Sequence, residues 1–248
     1  MELERHAKWS TQDTEQLVAC LEKLPPVNRG RDFVVTTAAE KLLDCVLSLH
    51  RRWEDFVLPR VREFGRQHPR VASLDDLAQC VNGAGGCVQF YKQALDYDYV
   101  DSAQMFDRVL NYLLKEIGNH LGATEMDRLA HWARNAKTSG YRSIWVDPDG
   151  DRANIPMFGI AGWQYCRMLF GADTSKPDIA VKGFVRECLG RSLPAISVVG
   201  IMEEAAPQVP QLRATGKPVR ETDLRVWNQY NESTDKTKRA KNSSCRSN

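Results

Sequence analysis

The sequence lacks four features that would each indicate a class of function. No apolar run is long enough to span a bilayer, and the N-terminal stretch MELERHAKWSTQDTEQ has no apolar signal segment. The net charge is only +2, so overall positive charge does not explain any binding to nucleic acid. The seven cysteines form no CxxC pair, which indicates free thiols in a reducing compartment. We therefore expect a soluble, intracellular protein, cytoplasmic or nucleoid-associated, whose binding surfaces are local.

The sequence also has little of the apolar–polar alternation that predicts strands. Apolar residues recur instead at helical spacing, and either Thr36 or Thr37, together with Ser102 and Thr124, precedes such runs as a candidate N-cap. Residues 231–248 contain no bulky apolar side chain, which predicts a disordered basic tail. The fold class that these patterns indicate is all-α.

One acidic run resembles a calcium-binding loop in part but does not match its full pattern. The segment DPDGD, residues 147–151, has three carboxylates at alternate positions, as calcium-binding loops do. Its glycine is the fourth residue where such a loop needs the sixth, and Phe158 occupies the place of the bidentate glutamate. The segment predicts a polar surface turn and no metal site.

Residues 155–189 contain the sequence pattern that most clearly indicates a functional site. The glycine hairpin, Phe158-Gly159-Ile160-Ala161-Gly162, has glycines where a turn between helices needs positive φ or close backbone approach. Successive N–H groups in such a turn can point at one anion, which predicts a phosphate-binding site followed by a helix over residues 163–170. Asp178 follows Pro177 and begins the next predicted helix, 179–189, where a carboxylate caps free N–H groups.

Four segments in this order resemble the helix-hairpin-helix, Gly/Pro-Asp superfamily of DNA glycosylases. The resemblance implies a two-lobed helical fold with a DNA cleft between residues 36–138 and a second lobe formed by residues 1–35 and 139–230. It also implies double-stranded DNA as the partner, and we expect a monomer that binds no membrane. The segments are LLDCVLSLHRRW (42–53), GIAGWQY (159–165), PDIAVKGFV (177–185) and DLRVWNQY (223–230).

The family's essential aspartate matches Asp178. Cleavage of an N-glycosidic bond builds positive charge on the deoxyribose, and the resemblance implies that the Asp178 carboxylate stabilises it. The hairpin amides, those of Gly159, Ala161 and Gly162, would hold phosphates beside the flipped nucleotide, and Lys176 is a further predicted DNA contact. In the family, carbonyls of this hairpin also hold a monovalent cation. The alternative for Asp178 is a simple N-cap.

The corner formed by His50, Arg51, Arg52 and Trp53 joins cations to an aromatic ring at the end of a predicted core helix. In the family this corner reaches into the minor groove and fills the space that a flipped base leaves, although glutamines are usual there. The resemblance therefore implies DNA contacts for His50, Arg51 and Arg52. The alternative is that Trp53 packs in the core and the arginines are solvated.

Bifunctional members of the family have a nucleophilic lysine just after the hairpin, where this chain has Trp163 or Gln164. The resemblance thus implies a monofunctional enzyme that leaves an abasic site. Trp163 is a candidate for the base pocket, where an aromatic ring stacks on an electron-poor alkylated base, and its alternative place is the core. Further pocket candidates are Trp145, Tyr165 and Trp227.

Some members carry an iron–sulfur cluster on four closely spaced cysteines after the catalytic helix. Only Cys188 and Cys245 lie in that region, so we expect no cluster and no required cofactor. The expected function is excision of a damaged or modified base by a monofunctional DNA glycosylase in base excision repair. Two alternatives stay open: a glycosylase for hypermodified, phage-type bases in DNA defence, and a noncatalytic DNA-binding protein. The short loop before Asp178 favours the latter, whereas the sequence Lys176-Pro177-Asp178 ahead of a helix favours chemistry.

Overall fold

The computed structural model describes residues 9–27, 35–49, 51–145 and 158–244, with the side chains of residues 142–145 and 232–244 left out. Every regular element in these ranges is helical, and no strand occurs in them. The all-α prediction is therefore confirmed. The acidic run at residues 147–151 and the corner residue His50 lie outside the described residues.

The chain divides into two compact units. The middle unit is Phe33–Ala172, and the end unit joins Met1–Asp32 to Asp173–Asn248. The second boundary lies at residue 172 and not at the predicted 138, because the helix after the glycine hairpin packs into the core of the middle unit. Each unit buries its own apolar cluster, as separately packed units do.

The middle unit is a helical bundle around aromatic and aliphatic side chains. Leu42 and Leu43 are fully buried on one face of its first helix, and Trp132 and Trp163 are buried further along the chain. The elements are α2 (Ala38–Leu47), a π-helical turn (Trp53–Val57), α3 (Leu58–Gln67), α4 (Leu74–Gly83), α5 (Cys87–Leu95), α6 (Val100–Ile117), α7 (Glu125–Asn135), a 3-10 segment (Thr138–Trp145) and α8 (Ile160–Leu169).

The end unit packs the first described helix of the chain against the last ones. Leu17 and Leu21 of the first helix are buried in one cluster with Val185 and Ile201. The elements are α1 (Thr11–Leu21), α9 (Ile179–Leu189), α10 (Ala195–Ala205), a 3-10 turn (Ala206–Gln208), α11 (Pro210–Arg213) and α12 (Pro218–Ser244).

The last helix corrects one prediction. The structure extends α12 to Ser244, through much of the segment that the sequence predicted to be a disordered tail. Val219 and Val226 are buried and anchor the first part of the helix. No proline or glycine interrupts residues 231–244, which favours a helix that continues to Ser244.

Four of the described helices begin with a capping box. In it the side chain of a Ser or Thr at the N-cap accepts from the backbone N–H of the third helical residue, and the acidic side chain of that third residue accepts from the N-cap N–H. The predicted N-cap Thr124 is confirmed, and of the two candidates Thr36 and Thr37 it is Thr37 that caps α2. Ser102 is not an N-cap, because α6 begins earlier, at Val100, and buries the Ser102 side chain in its first turn. The four pairs are Ser10 with Asp13, Thr37 with Glu40, Ser73 with Asp76, and Thr124 with Asp127.

Candidate functional site

Asp178 begins α9 as its N-cap residue, as the sequence predicted. Its Oδ1 accepts hydrogen bonds from the backbone N–H groups of Ala180 at 2.9 Å and Val181 at 3.1 Å. Both bonds reach the same oxygen, so the cap does not use Oδ2. The residue is only half-buried, which leaves part of a negatively charged group accessible at the positive end of a helix.

The residues just before Asp178 have no regular secondary structure, yet two of them are bound by a buried carboxylate. Asp223 of α12 is 8% exposed, and its Oδ1 accepts from the Ser175 hydroxyl at 2.8 Å and from the Lys176 amide at 2.7 Å. The Lys176 carbonyl in turn accepts from the Asp178 amide at 2.7 Å. A continuous chain of hydrogen bonds therefore connects Asp223 with Asp178.

Two further bonds hold the start of the same segment. The Arg220 amide of α12 donates to Asp173 Oδ1 at 2.9 Å, and the buried Thr174 hydroxyl donates to Glu203 Oε1 of α10 at 2.6 Å. Residues 173–176 are thus fixed residue by residue from two helices. Side-chain bonds of this number are typical of a segment whose conformation has to be precise.

The pKa of Asp223 is raised to about 7. Burial is the largest cause, the hydrogen bond from Ser175 opposes it, and the negative charge of Asp178 raises the pKa further. Two carboxyl groups in the end unit therefore interact electrostatically, one of them half-buried and one buried. Perturbed carboxyl groups of this kind are concentrated at functional sites.

The exposed face of α9 continues from Asp178 as a short cationic stripe. Ile179 is 73% exposed, and Lys182 and Arg186 are exposed at spacings that place them on the same face. Neither cation has an ion-pair partner among the residues that the structure describes. The sequence alone does not indicate a function for these residues, because a lysine and an arginine on a helix are usually just solvated side chains.

The glycine hairpin differs from its prediction in detail. Helix α8 begins at Ile160 and not at residue 163, and its N-cap residue Gly159 has extended backbone dihedrals and no side chain with which to accept from the amides. Among the residues that the structure describes, nothing lies within 4 Å of a Cβ added at Gly159, and Ala161 is half-buried. No described residue therefore blocks the helix start, and an anion-binding helix terminus has to be accessible in this way.

Gly162 has a packing role instead. It lies within α8 and is buried, and a Cβ added there would be 3.0 Å from the Phe158 ring and 3.2 Å from Leu49. Glycine at this position allows α8 to approach α2 closely, and the Cys45 thiol donates to the Gly162 carbonyl at 3.6 Å. The hairpin and the end of α2, far apart in sequence, are thus neighbours in the middle unit.

The corner after α2 is held by aromatic and acidic partners. Arg51 donates from Nη2 to the Tyr97 hydroxyl at 3.0 Å and lies 5.4 Å from the centroid of the Phe56 ring. Arg52 is exposed and forms an ion pair with Asp55 at 3.0 Å. The two arginines predicted to contact DNA are therefore both at the surface, where their partners in the protein compete with DNA for them.

A buried carboxylate connects this corner with α8. Asp44 is 2% exposed, and its Oδ1 accepts from Ser48 Oγ at 2.9 Å, Trp53 Nε1 at 3.1 Å and the Tyr165 hydroxyl at 3.1 Å. Burial first, and then the charge of Asp44, raises the pKa of the Tyr165 hydroxyl well above its ordinary value. Trp53 and Tyr165 are thus fixed by hydrogen bonds within the middle unit.

Trp163 lies in the core, which is the alternative that the sequence analysis left open. It is 1% exposed, and its Nε1 donates to the Lys137 carbonyl at 2.9 Å. Its ring packs at 5.4 Å from Trp132 and 5.8 Å from Tyr112, centroid to centroid, which leaves no face for a base. Of the other predicted pocket residues, Trp227 is half-buried on α12, and the side chain of Trp145 lies outside the described residues.

Six cysteines of the described ranges are free thiols, and Cys245 lies outside those ranges. Within the same ranges no three His, Cys, Asp or Glu side chains are grouped to hold a metal ion. Among the described helices, none combines the length and the apolar composition that a bilayer crossing requires. No family model matches the sequence, and comparisons with curated proteins and with solved structures find no match.

Proposed function

We propose that this protein is a monofunctional DNA glycosylase that removes a damaged or modified base from double-stranded DNA. The observation that carries the proposal is the Asp178 carboxylate, capped on one oxygen by the α9 amides and preceded by a segment that α10 and α12 fix residue by residue. A structural N-cap does not require such bracing, whereas a reacting carboxylate has to be held within about 0.5 Å of its productive position.

The chemistry follows from where charge develops. Breaking the N-glycosidic bond makes the deoxyribose positive, and a fixed negative charge beside the sugar stabilises that transition state. The helix N-terminus stabilises the negative charge of Asp178. The oxygen that the cap does not use, Oδ2, is the one that would face the sugar or orient the attacking water. Release of the base then leaves an abasic site.

The residues after the hairpin support a reaction without strand cleavage. A backbone-cutting enzyme needs an accessible amine there to form a Schiff base with the sugar. This chain has Trp163 and Gln164 at that place, and both are buried. Neither supplies a nucleophile, so we expect hydrolysis alone.

The middle unit supports the DNA-binding part of the proposal. Helix α8, which follows Gly159, packs against α2, and its residue Gly162 lies close to Leu49, two residues before Arg51. Amide groups at a helix start hold a phosphate, and the corner next to them offers positive charge and aromatic rings to an opened duplex. Such contacts fix the register on DNA without reading its sequence.

The test is base release from duplexes that each carry one alkylated, oxidised, deaminated or hypermodified base. Strand breaks that appear only after alkali identify a monofunctional glycosylase, and the duplex that is cut identifies the class of base. Cleavage of the hypermodified duplex alone would favour a role in DNA defence over repair. No release from any duplex, with DNA binding intact, would contradict the enzyme and favour a noncatalytic DNA-binding protein.

The cationic stripe on α9 makes the binding salt-dependent in a measurable way. We expect the double variant Lys182→Gln, Arg186→Gln to bind duplex DNA with a salt slope, d log K/d log[salt], shallower by about 2, because each phosphate contact contributes roughly 0.9. Fluorescence anisotropy between low and moderate salt measures the slope. The matched control Arg108→Gln, Lys115→Gln removes two exposed charges from α6 and should leave the slope unchanged. Equal slopes in all three proteins would exclude the α9 face from the DNA interface.

A further inference from the structure

Asp223 has the contacts of a group that acts on Asp178 from a distance. It is buried on α12, and its two hydrogen bonds go to Ser175 and Lys176, both of which precede Pro177. The Lys176 backbone is held at both ends, since its N–H donates to Asp223 and its carbonyl accepts from the Asp178 amide. Pro177 has a fixed φ, which removes one degree of freedom from the short path between Lys176 and Asp178.

We propose that Asp223 is the positioning residue of the Asp178 carboxylate, acting through Lys176, and that gaining a proton on Asp223 loosens this hold. The inference rests on the proposed function and adds its regulation by pH. An ionised carboxylate accepts shorter and stronger hydrogen bonds than a neutral carboxyl group does. The ionised form of Asp223 therefore fixes Ser175 and Lys176 more tightly than the protonated form.

The surroundings of Asp223 place its proton exchange in the neutral range. Its pKa is about 7, because burial raises it more than the Ser175 hydrogen bond lowers it. Outside α12, the charge of Asp178 raises the pKa of Asp223 and the charge of Lys176 lowers it. Base release and stability should respond to this proton in opposite directions.

The direction in which stability changes with pH follows from the pKa of the Asp223 carboxyl group in the folded and in the unfolded chain. The folded-state pKa lies above the ordinary value of 3.8, so between about pH 4 and pH 7 the folded protein holds a proton that the unfolded chain has lost. Asp223 therefore makes the folded state less stable as pH rises through this window. The rate of base release should instead rise as pH increases through about 7, because the ionised form holds the segment more tightly.

The experiment compares wild type with Asp223→Asn, Asp223→Ala and Ser175→Ala. We expect Asp223→Ala to lower the single-turnover rate by about 100-fold, as a 1 Å displacement of a reacting group does, with DNA affinity within about twofold. Asp223→Asn keeps an acceptor and should retain more of that rate, but it should lose the rise near pH 7. Relative to Asp223→Asn, the Tm of wild type should fall by several degrees from pH 5 to pH 7.5. If Asp223→Ala does not fold, Ser175→Ala removes one bond of the same chain. It should lower the rate and move the rise of the rate to higher pH, because the Ser175 hydrogen bond lowers the pKa of Asp223.

The outcomes separate this inference from the function on which it rests. Base release by wild type, with an unchanged rate in Asp223→Ala and in Ser175→Ala, overturns the positioning role and leaves the glycosylase standing. A rate loss with the wild-type pH profile preserved in Asp223→Asn overturns the role of the proton. No base release by the wild type overturns the proposed function and this inference with it.

Discussion

Replacing Asp178 by asparagine is expected to lower single-turnover base release by about 1000-fold, the size of effect that loss of one electrostatic stabiliser of a transition state has. Asparagine has the same shape and caps a helix as well as aspartate does. Its Oδ1 can still accept from Ala180 and Val181, so the fold and the DNA affinity should be retained. The substitution removes only the negative charge that we propose to act on the sugar.

Two further variants make the interpretation of that loss unambiguous. Asp178→Ala removes the cap as well as the charge, and should lower the free energy of unfolding by about 1 kcal/mol in addition to the rate loss. Asp127→Asn changes an exposed carboxylate in the capping box of α7 and should release base at the wild-type rate. Full activity in Asp178→Asn would reduce Asp178 to a structural cap, and the proposed chemistry would need another carboxylate.

Trp163→Ala is expected to lower the free energy of unfolding by about 3 to 5 kcal/mol, the usual cost of truncating a buried tryptophan. The ring is enclosed by Trp132 and Tyr112, and its Nε1 donates to the Lys137 carbonyl. Gly140 lies so close that a Cβ there would be 2.5 Å from the Trp163 ring. The helices around Trp163 cannot close a cavity of that size without moving the backbone. Denaturant unfolding followed by circular dichroism measures the change.

Leu121→Ala serves as the control for Trp163→Ala, because Leu121 belongs to the same unit and is 78% exposed. Its effect on the free energy of unfolding should stay within about 0.5 kcal/mol. Trp163→Phe should lose part of the stability and keep the base preference of the wild type. If Trp163→Phe changed the base preference without changing the stability, Trp163 would have to contact the base, which would contradict its place in the core.

The features that the sequence predicted well are those that local chemistry decides. Thr37 and Thr124 cap helices because an oxygen at that position satisfies nearby amides, whatever the rest of the chain does. Asp178 begins a helix at the predicted residue for the same reason, and Pro177 just before it sharpens the signal. The same local rule gave a wrong prediction at Ser102. Helix α6 begins two residues earlier, at Val100, so Ser102 lies inside the first turn and does not cap the helix.

The features that the sequence did not predict depend on contacts between distant segments. Glycine permits both a tight turn and the close approach of two helices, so the spacing alone did not show that Gly162 packs against Leu49. Tryptophan suits a core and a base pocket equally well, and only the positions of Trp132 and Tyr112 decide for the core. Asp223 belongs to the fourth resembling segment, yet nothing local connects it with Ser175.

The discontinuous end unit has a consequence for synthesis on the ribosome. Leu17 and Leu21 of α1 are buried against residues of α9 and α10, which are translated only after the whole middle unit. During translation the apolar face of α1 therefore stays exposed until α9 and α10 have been synthesised. By then the middle unit, Phe33–Ala172, already has all the residues of its own core. Folding is expected to begin in the middle of the chain and to end when α9 and α10 cover α1, and contacts of such sequence separation form slowly. Asp178 is thus brought to its final position only in the last step.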